Sequence, residues 1–129
     1  MGSMKNEKNT DPAIRVVMLP RDTNERGTIF GGVLLSHIDL AGAVEASQHA
    51  PKKFVTVAMD KIDFIAPVNV GDVVSFYTHT TQVGRTSIKI HVDVFAARRG
   101  PLEKEQKVTE ADLVFVAVDE DGVPTPIRD

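Results

Sequence analysis

The sequence predicts an α+β domain in which one long helix is wrapped by a curved five-stranded antiparallel sheet, and three observations predict it. A single stretch, Gly31-Gly32 followed by Val33, Leu34, Leu35, Ile38, Leu40 and Ala41, carries apolar residues at helical spacing. From Phe54 onward the chain alternates apolar and polar residues with the period of strands. No second helix is available to cover the sheet, so the strands must curl around the one there is.

Taken in order, Arg15 to Leu19 reads as a short strand stopped by Pro20 and the polar loop Arg21-Asp22-Thr23-Asn24. The helix is expected from about Gly32 to His49, with Pro51 beyond its end. Val55, Val57 and Met59 alternate with Thr56, Ala58 and Asp60, and this run ends at Pro67 and the turn Asn69-Val70-Gly71-Asp72. Two further strands, Val73 to Val83 and Arg85 to Arg98, are joined by a tight turn at Gly84-Arg85. In the second of them Ile88, Ile90, Val92, Val94 and Ala96 form one face, and Lys89, His91 and Asp93 the other. A last strand, Lys107 to Val118, stops at Asp119-Glu120-Asp121-Gly122.

One domain, 13–122, accounts for almost all of the 129 residues, between an N-terminal segment 1–12 expected to be disordered and a C-terminal tail 123–129. Met1-Gly2-Ser3 reads as a cloning remnant ahead of a native start at Met4. A net charge of −3 gives no field that would gather nucleic acid or an anionic membrane. The absence of cysteine excludes a disulfide scaffold and a thiolate nucleophile. No apolar run approaches a membrane span, so a cytoplasmic protein is expected. One helix cannot shield every apolar sheet residue, and association into a dimer or a larger homo-oligomer is the expected remedy.

The chemistry concentrates where the loop enters the helix. Gly31 and Gly32 let another molecule approach the backbone closely, and the unpaired N–H groups of a first helical turn favour an oxygen gaining negative charge. Two turns on, Asp39 interrupts an apolar and small-residue surface, where an acid is costly without a partner or a task. Ser36 and Gly42 share its face, and Ser36 is a candidate hydrogen-bond neighbour. Glu45 reads as a solvated or interface charge, and His37 as facing another side of the helix. His91 and Asp93 have metal-ligand spacing but no third ligand nearby in sequence, so no metal is expected.

The phrase Asn24-x-x-Gly27-x-Ile29-Phe30-Gly31-Gly32 with Asp39 behind it resembles the hotdog-fold acyl-CoA thioesterases, in the branch of the cytosolic acyl-CoA hydrolases. Val55-Thr56-Val57-Ala58-x-Asp60-x-Ile62-x-Phe64-x-x-Pro67, Val70-Gly71-Asp72 and Val83-Gly84-Arg85-Thr86-Ser87 extend the likeness over residues 15–122. The resemblance implies a double-hotdog dimer, often assembled as a trimer of dimers. It also implies a catalytic acid, matching Asp39, on the helix of one subunit and a loop asparagine, matching Asn24, from the other. Asp39 would activate a water or attack the thioester carbonyl itself, while amides near Gly31 and Gly32 hold the carbonyl oxygen. A thiol leaves readily as thiolate, so neither a cofactor nor a Ser–His pair is needed. Asn24 alone would more often brace a turn.

For the nucleotide end of coenzyme A, the family phrase favours Arg85 with Gly84, Thr86 and Ser87. Lys52-Lys53, Arg98 and Arg99 are further basic options. The pantetheine arm would pair with backbone along Val57-Ala58-Met59. Two competing expectations stand beside hydrolysis: an enoyl-thioester hydratase, for which the loop offers Phe30 where a histidine would serve, and a non-catalytic acyl-CoA sensor.

Overall fold

The computed structural model describes residues 11–98 and 100–128. The expectation for the first ten residues, and Arg99, therefore lie outside the described residues. Strand β1 (Ile14–Val17) leads through a one-turn 3-10 segment, Pro20–Asp22, and a loop into helix α1 (Gly31–Ser47). Strands β2 (Lys53–Phe64), β3 (Val73–Val83), β4 (Ser87–Ala97) and β5 (Gln106–Val118) follow, with a short 3-10 turn, Leu102–Lys104, before the last. All pair antiparallel in the order β1-β3-β4-β5-β2, which makes β2, formed before three of its companions, one edge of the sheet.

The alternation read in β4 is realised: Ile88, Ile90, Val92, Val94 and Ala96 are buried on the inner face. Directly beside them Leu113 pairs with Ile90 and Phe115 with Ile88, so two strands present a continuous apolar surface. Helix α1 seats Leu34, Ile38, Ala41, Gly42 and Ala46 against it. Gly42 sets the depth of that seat, since a Cβ there would stand 2.8 Å from the ring of the buried Phe115. The opposite side of the helix stays apolar, with Leu40 57% exposed and Val44 beside it one turn on.

Strand β2 is irregular. Its register against β5 slips between Thr56 and Ala58, leaving Val57 unpaired as a bulge, and again between Asp60 and Asp63, where Lys61 has a φ of 51°. The closing segment folds back onto the sheet. Thr125 N–H donates to the Ala117 carbonyl at 2.9 Å, Ile127 N–H to the Arg85 carbonyl at 2.9 Å, and the Ile127 side chain is buried.

Candidate active site

Asn24 braces the loop before α1 from within. Asn24 Oδ1 accepts the backbone N–H of Arg26 at 2.8 Å and of Thr28 at 3.2 Å, and its Nδ2 donates to Thr28 Oγ1 at 2.9 Å. Gly27, with φ at 86°, turns the chain inside that bracket. Ile29 N–H donates to the Val68 carbonyl and Phe30 N–H to the Asp22 carbonyl, both at 2.8 Å, and these bonds fix where the helix begins. Phe30 occupies the N-cap position and supplies no side-chain acceptor, so no side chain caps the first turn at Gly31 and Gly32. The Phe64 ring lies over Gly31 and the Phe30 ring over Gly32, where a Cβ would stand 3.2 and 2.6 Å from ring carbons. A cavity of about 360 Å³ opens at this helix start, with Asn24, Arg26 and Gly31 on its polar side and Leu34, Phe64 and Val68 on its apolar side.

Asp39 lies two turns further along α1, half-buried, and its carboxylate accepts a 2.6 Å hydrogen bond from Thr56 Oγ1 on β2. Ser36, expected as its neighbour, instead donates to the Val33 carbonyl at 2.8 Å, as helical serines commonly do. Sequence reasoning missed Thr56, because nothing local shows which β2 residue will face the helix. Eight residues of helix separate Gly31 from Asp39, about 12 Å at 1.5 Å per residue. Within one chain, therefore, the acid and the first-turn amides do not converge on one carbonyl group.

The remaining expected residues fall in other places. Val57, in the bulge beside Thr56, is exposed, whereas Met59 packs against the core. Gly84, Arg85 and Thr86 form the β3–β4 turn, closed by Gly84 N–H to the Ser87 carbonyl at 2.7 Å. Arg98 stands 3.7 Å from the buried Asp72, and Lys52 and Lys53 share a cleft with Asp119 and Glu120, so these cations have acids close by. Glu45, expected as a solvated or interface charge, is half-buried and accepts hydrogen bonds from Thr78 Oγ1 at 2.9 Å and Thr80 Oγ1 at 2.8 Å. His49 Nε2 reaches Thr80 Oγ1 at 2.8 Å, tying the end of the helix to β3 through the same hydroxyl. His37 Nδ1 lies 2.9 Å from the Val33 carbonyl and its ring stacks on Phe76, away from Asp39.

On the outer face of the sheet, the neighbouring strand supplies what His91 and Asp93 lacked in sequence. His91 Nδ1 lies 2.6 Å from Asp112 Oδ1, and its Nε2 lies 2.9 Å from Asp93 Oδ1 and 3.3 Å from Glu110 Oε1. His91, Asp93 and Glu110 come close enough together to hold an ion. Lys107 Nζ, however, sits 2.9 Å from Asp93 Oδ1 and 2.8 Å from Glu110 Oε1, and neutralises those oxygens. Burial opposes the charge on His91, but its hydrogen bonds to Asp112 and Asp93 outweigh that and raise its pKa above the ordinary value. Burial likewise opposes ionisation of Asp93, and the bonds from Lys107 and His91 outweigh it and lower the pKa.

Residues 26–102 match the thioesterase superfamily. The acyl-CoA thioester hydrolase YciA of Salmonella typhimurium is 40% identical over 129 residues, covering 98% of this chain and 97% of the relative. Among solved structures, Cj0915, a hexameric hotdog fold thioesterase of Campylobacter jejuni, superposes with a TM-score of 0.83 at 42% identity, covering 90% of this chain and 89% of the other. HI0827, a hexameric broad specificity acyl-coenzyme A thioesterase, gives a TM-score of 0.84 at 37% identity over 100% of this chain and 89% of its own.

Proposed function

Because the chain belongs to the thioesterase superfamily and takes the hotdog fold, we propose that it hydrolyses acyl-CoA thioesters, with Asp39 as the catalytic acid of a site completed by a second copy. Support for the reaction comes from the relatives named above, acyl-CoA thioester hydrolases matched over nearly their whole length. The observation that carries the site is the half-buried Asp39, held by Thr56 beside an apolar helix surface that none of the described residues covers.

The thioester carbonyl would lie over an uncapped helix start, where each well-placed amide near Gly31 and Gly32 lowers the barrier by about 3–4 kcal/mol. Asp39 from the other chain would take a proton from the attacking water, and the thiolate would leave without a general acid. Nucleophilic attack by Asp39, through a mixed anhydride, is the second version. Asn24 serves this arrangement by fixing the loop that presents the amides, and one hydrogen of its Nδ2 remains for substrate or water. No metal or other cofactor takes part in either version.

Assembly follows from the same surfaces. Joining α1 to a second α1 through Leu40 and Val44, and β2 to a second β2 edge to edge, would give a double-hotdog dimer with two composite sites. A trimer of such dimers fits the hexameric relatives. Among the described residues no helix is long and apolar enough to cross a membrane; a cytoplasmic location is part of the proposal and rests on the likeness to the cytosolic acyl-CoA hydrolases.

A coupled assay with butyryl-CoA and a thiol-reactive dye tests the reading. Release of thiol is expected, and kcat of a folded Asp39→Ala enzyme should fall by about 10²–10⁴-fold. Ligand-dependent melting with no thiol released would identify a sensor, and undiminished turnover by Asp39→Ala would remove the acid from the mechanism.

A further inference from the structure

The segment after β5 ends beside the β3–β4 turn. Its bridge from Val118 to Pro124, its bond to Ala117 and the buried Ile127 side chain lock it to the sheet. A further bond is made to the turn, since Ile127 N–H donates to the carbonyl of Arg85 itself. As a result Arg85 and Arg128, 43 residues apart in sequence, line one open cleft of about 550 Å³ with Val83, Gly84, Pro126 and Ile127.

Among the described residues neither guanidinium makes an ion pair. This separates them from the other basic groups near strand ends, which have Asp72 or Asp119 and Glu120 close by. Two like charges on one cleft, with no acid among the described residues that line it, repel each other weakly across water and favour an anion between them. Planar guanidinium forks suit phosphate oxygens, and the half-buried Pro126 beside them offers an apolar face to a base.

We propose that the C-terminal segment forms one wall of the site for the phosphorylated nucleotide of the acyl-CoA substrate, and that Arg128 binds its phosphates together with Arg85. This rests on the thioesterase reading and extends it to a residue outside the span of the sequence motifs. The ligand chemistry is a ribose phosphate, which could belong to the substrate or to a free nucleotide.

Steady-state kinetics with butyryl-CoA and with S-butyryl-pantetheine separate these cases. Arg128→Ala should raise KM for butyryl-CoA about tenfold, with the loss in KM rather than kcat, and should affect the pantetheine ester at least about fivefold less. Arg128→Lys should recover part of the loss, because the charge survives and the fork does not. The rise of KM with added NaCl should be shallower in Arg128→Ala than in the wild type. Equal losses on the two esters, or none on either in a variant with a wild-type circular dichroism spectrum, would overturn the assignment. So would a change confined to inhibition by free ADP, which would give the cleft to a nucleotide effector. Calorimetric binding of coenzyme A reports on the cleft without turnover: weaker binding by Arg128→Ala supports it even if the wild type hydrolyses neither ester, and that failure would count against the thioesterase reading alone.

Discussion

Thr56 is an exposed β-branched residue on an edge strand, an ordinary occupant of such a position until its hydroxyl is seen 2.6 Å from Asp39. A hydroxyl bonded to a carboxylate fixes which oxygen faces outward and restricts the rotamer of the acid. Thr56→Val keeps the shape and removes the donor. It should lower kcat on butyryl-CoA about tenfold with little change in KM, and Thr56→Ser should restore most of the rate. An unchanged kcat in a folded Thr56→Val enzyme would leave the hydroxyl with no part in orienting the acid. Asp39 itself was legible because an isolated acid on an apolar helix behind a glycine pair is conspicuous. Thr56 was not, since the partner of a helical side chain is set by how the helix lies across the sheet.

Strands β4 and β5 illustrate the same divide one level up. Their alternation exposes the inner face to inspection, but cross-strand pairing decides that His91 sits opposite Asp112 and Asp93 opposite Glu110. The register is fixed by contacts some twenty residues apart, so a cluster that needs two strands is invisible in either one. Its effect on stability has a definite sign. The folded pKa of His91 is raised, so its contribution is complete below the unfolded value near 6.5 and is lost as pH climbs through the folded value. The folded pKa of Asp93 is lowered, so its contribution holds above the unfolded value and is lost as pH falls through the folded one. Together they support the sheet best between those two limits. His91→Gln should therefore cost more stability at pH 6 than at pH 9, seen as a larger drop in Tm, with a difference of about 1 kcal/mol or less in unfolding free energy at these partly exposed positions. Equal losses in Tm at the two pH values would show that the imidazolium charge is not what the cluster uses.

For the molecule as a whole, the decisive surfaces are those left bare. Leu40 and Val57 are each more than half exposed, 57% and 56%, on the helix and strand edge that flank Asp39. A need for association was readable from the ratio of one helix to five strands, and which apolar residues stay bare was not, because burial depends on the curl of the sheet. Leu40→Glu should convert the oligomer to monomers by light scattering, retain the helical circular dichroism signal, and abolish turnover with Asp39 intact. A fully active monomer would show that one chain carries a complete site. The fit of Gly42 under Phe115 ties this surface to the interior. A single methyl at position 42 has no room beneath the helix, so α1 would have to ride higher on the strands. Lifting it would stretch the Thr56 bond and push Leu40 outward together, so tolerance of alanine at that position would gauge how finely Asp39 is levelled against its support.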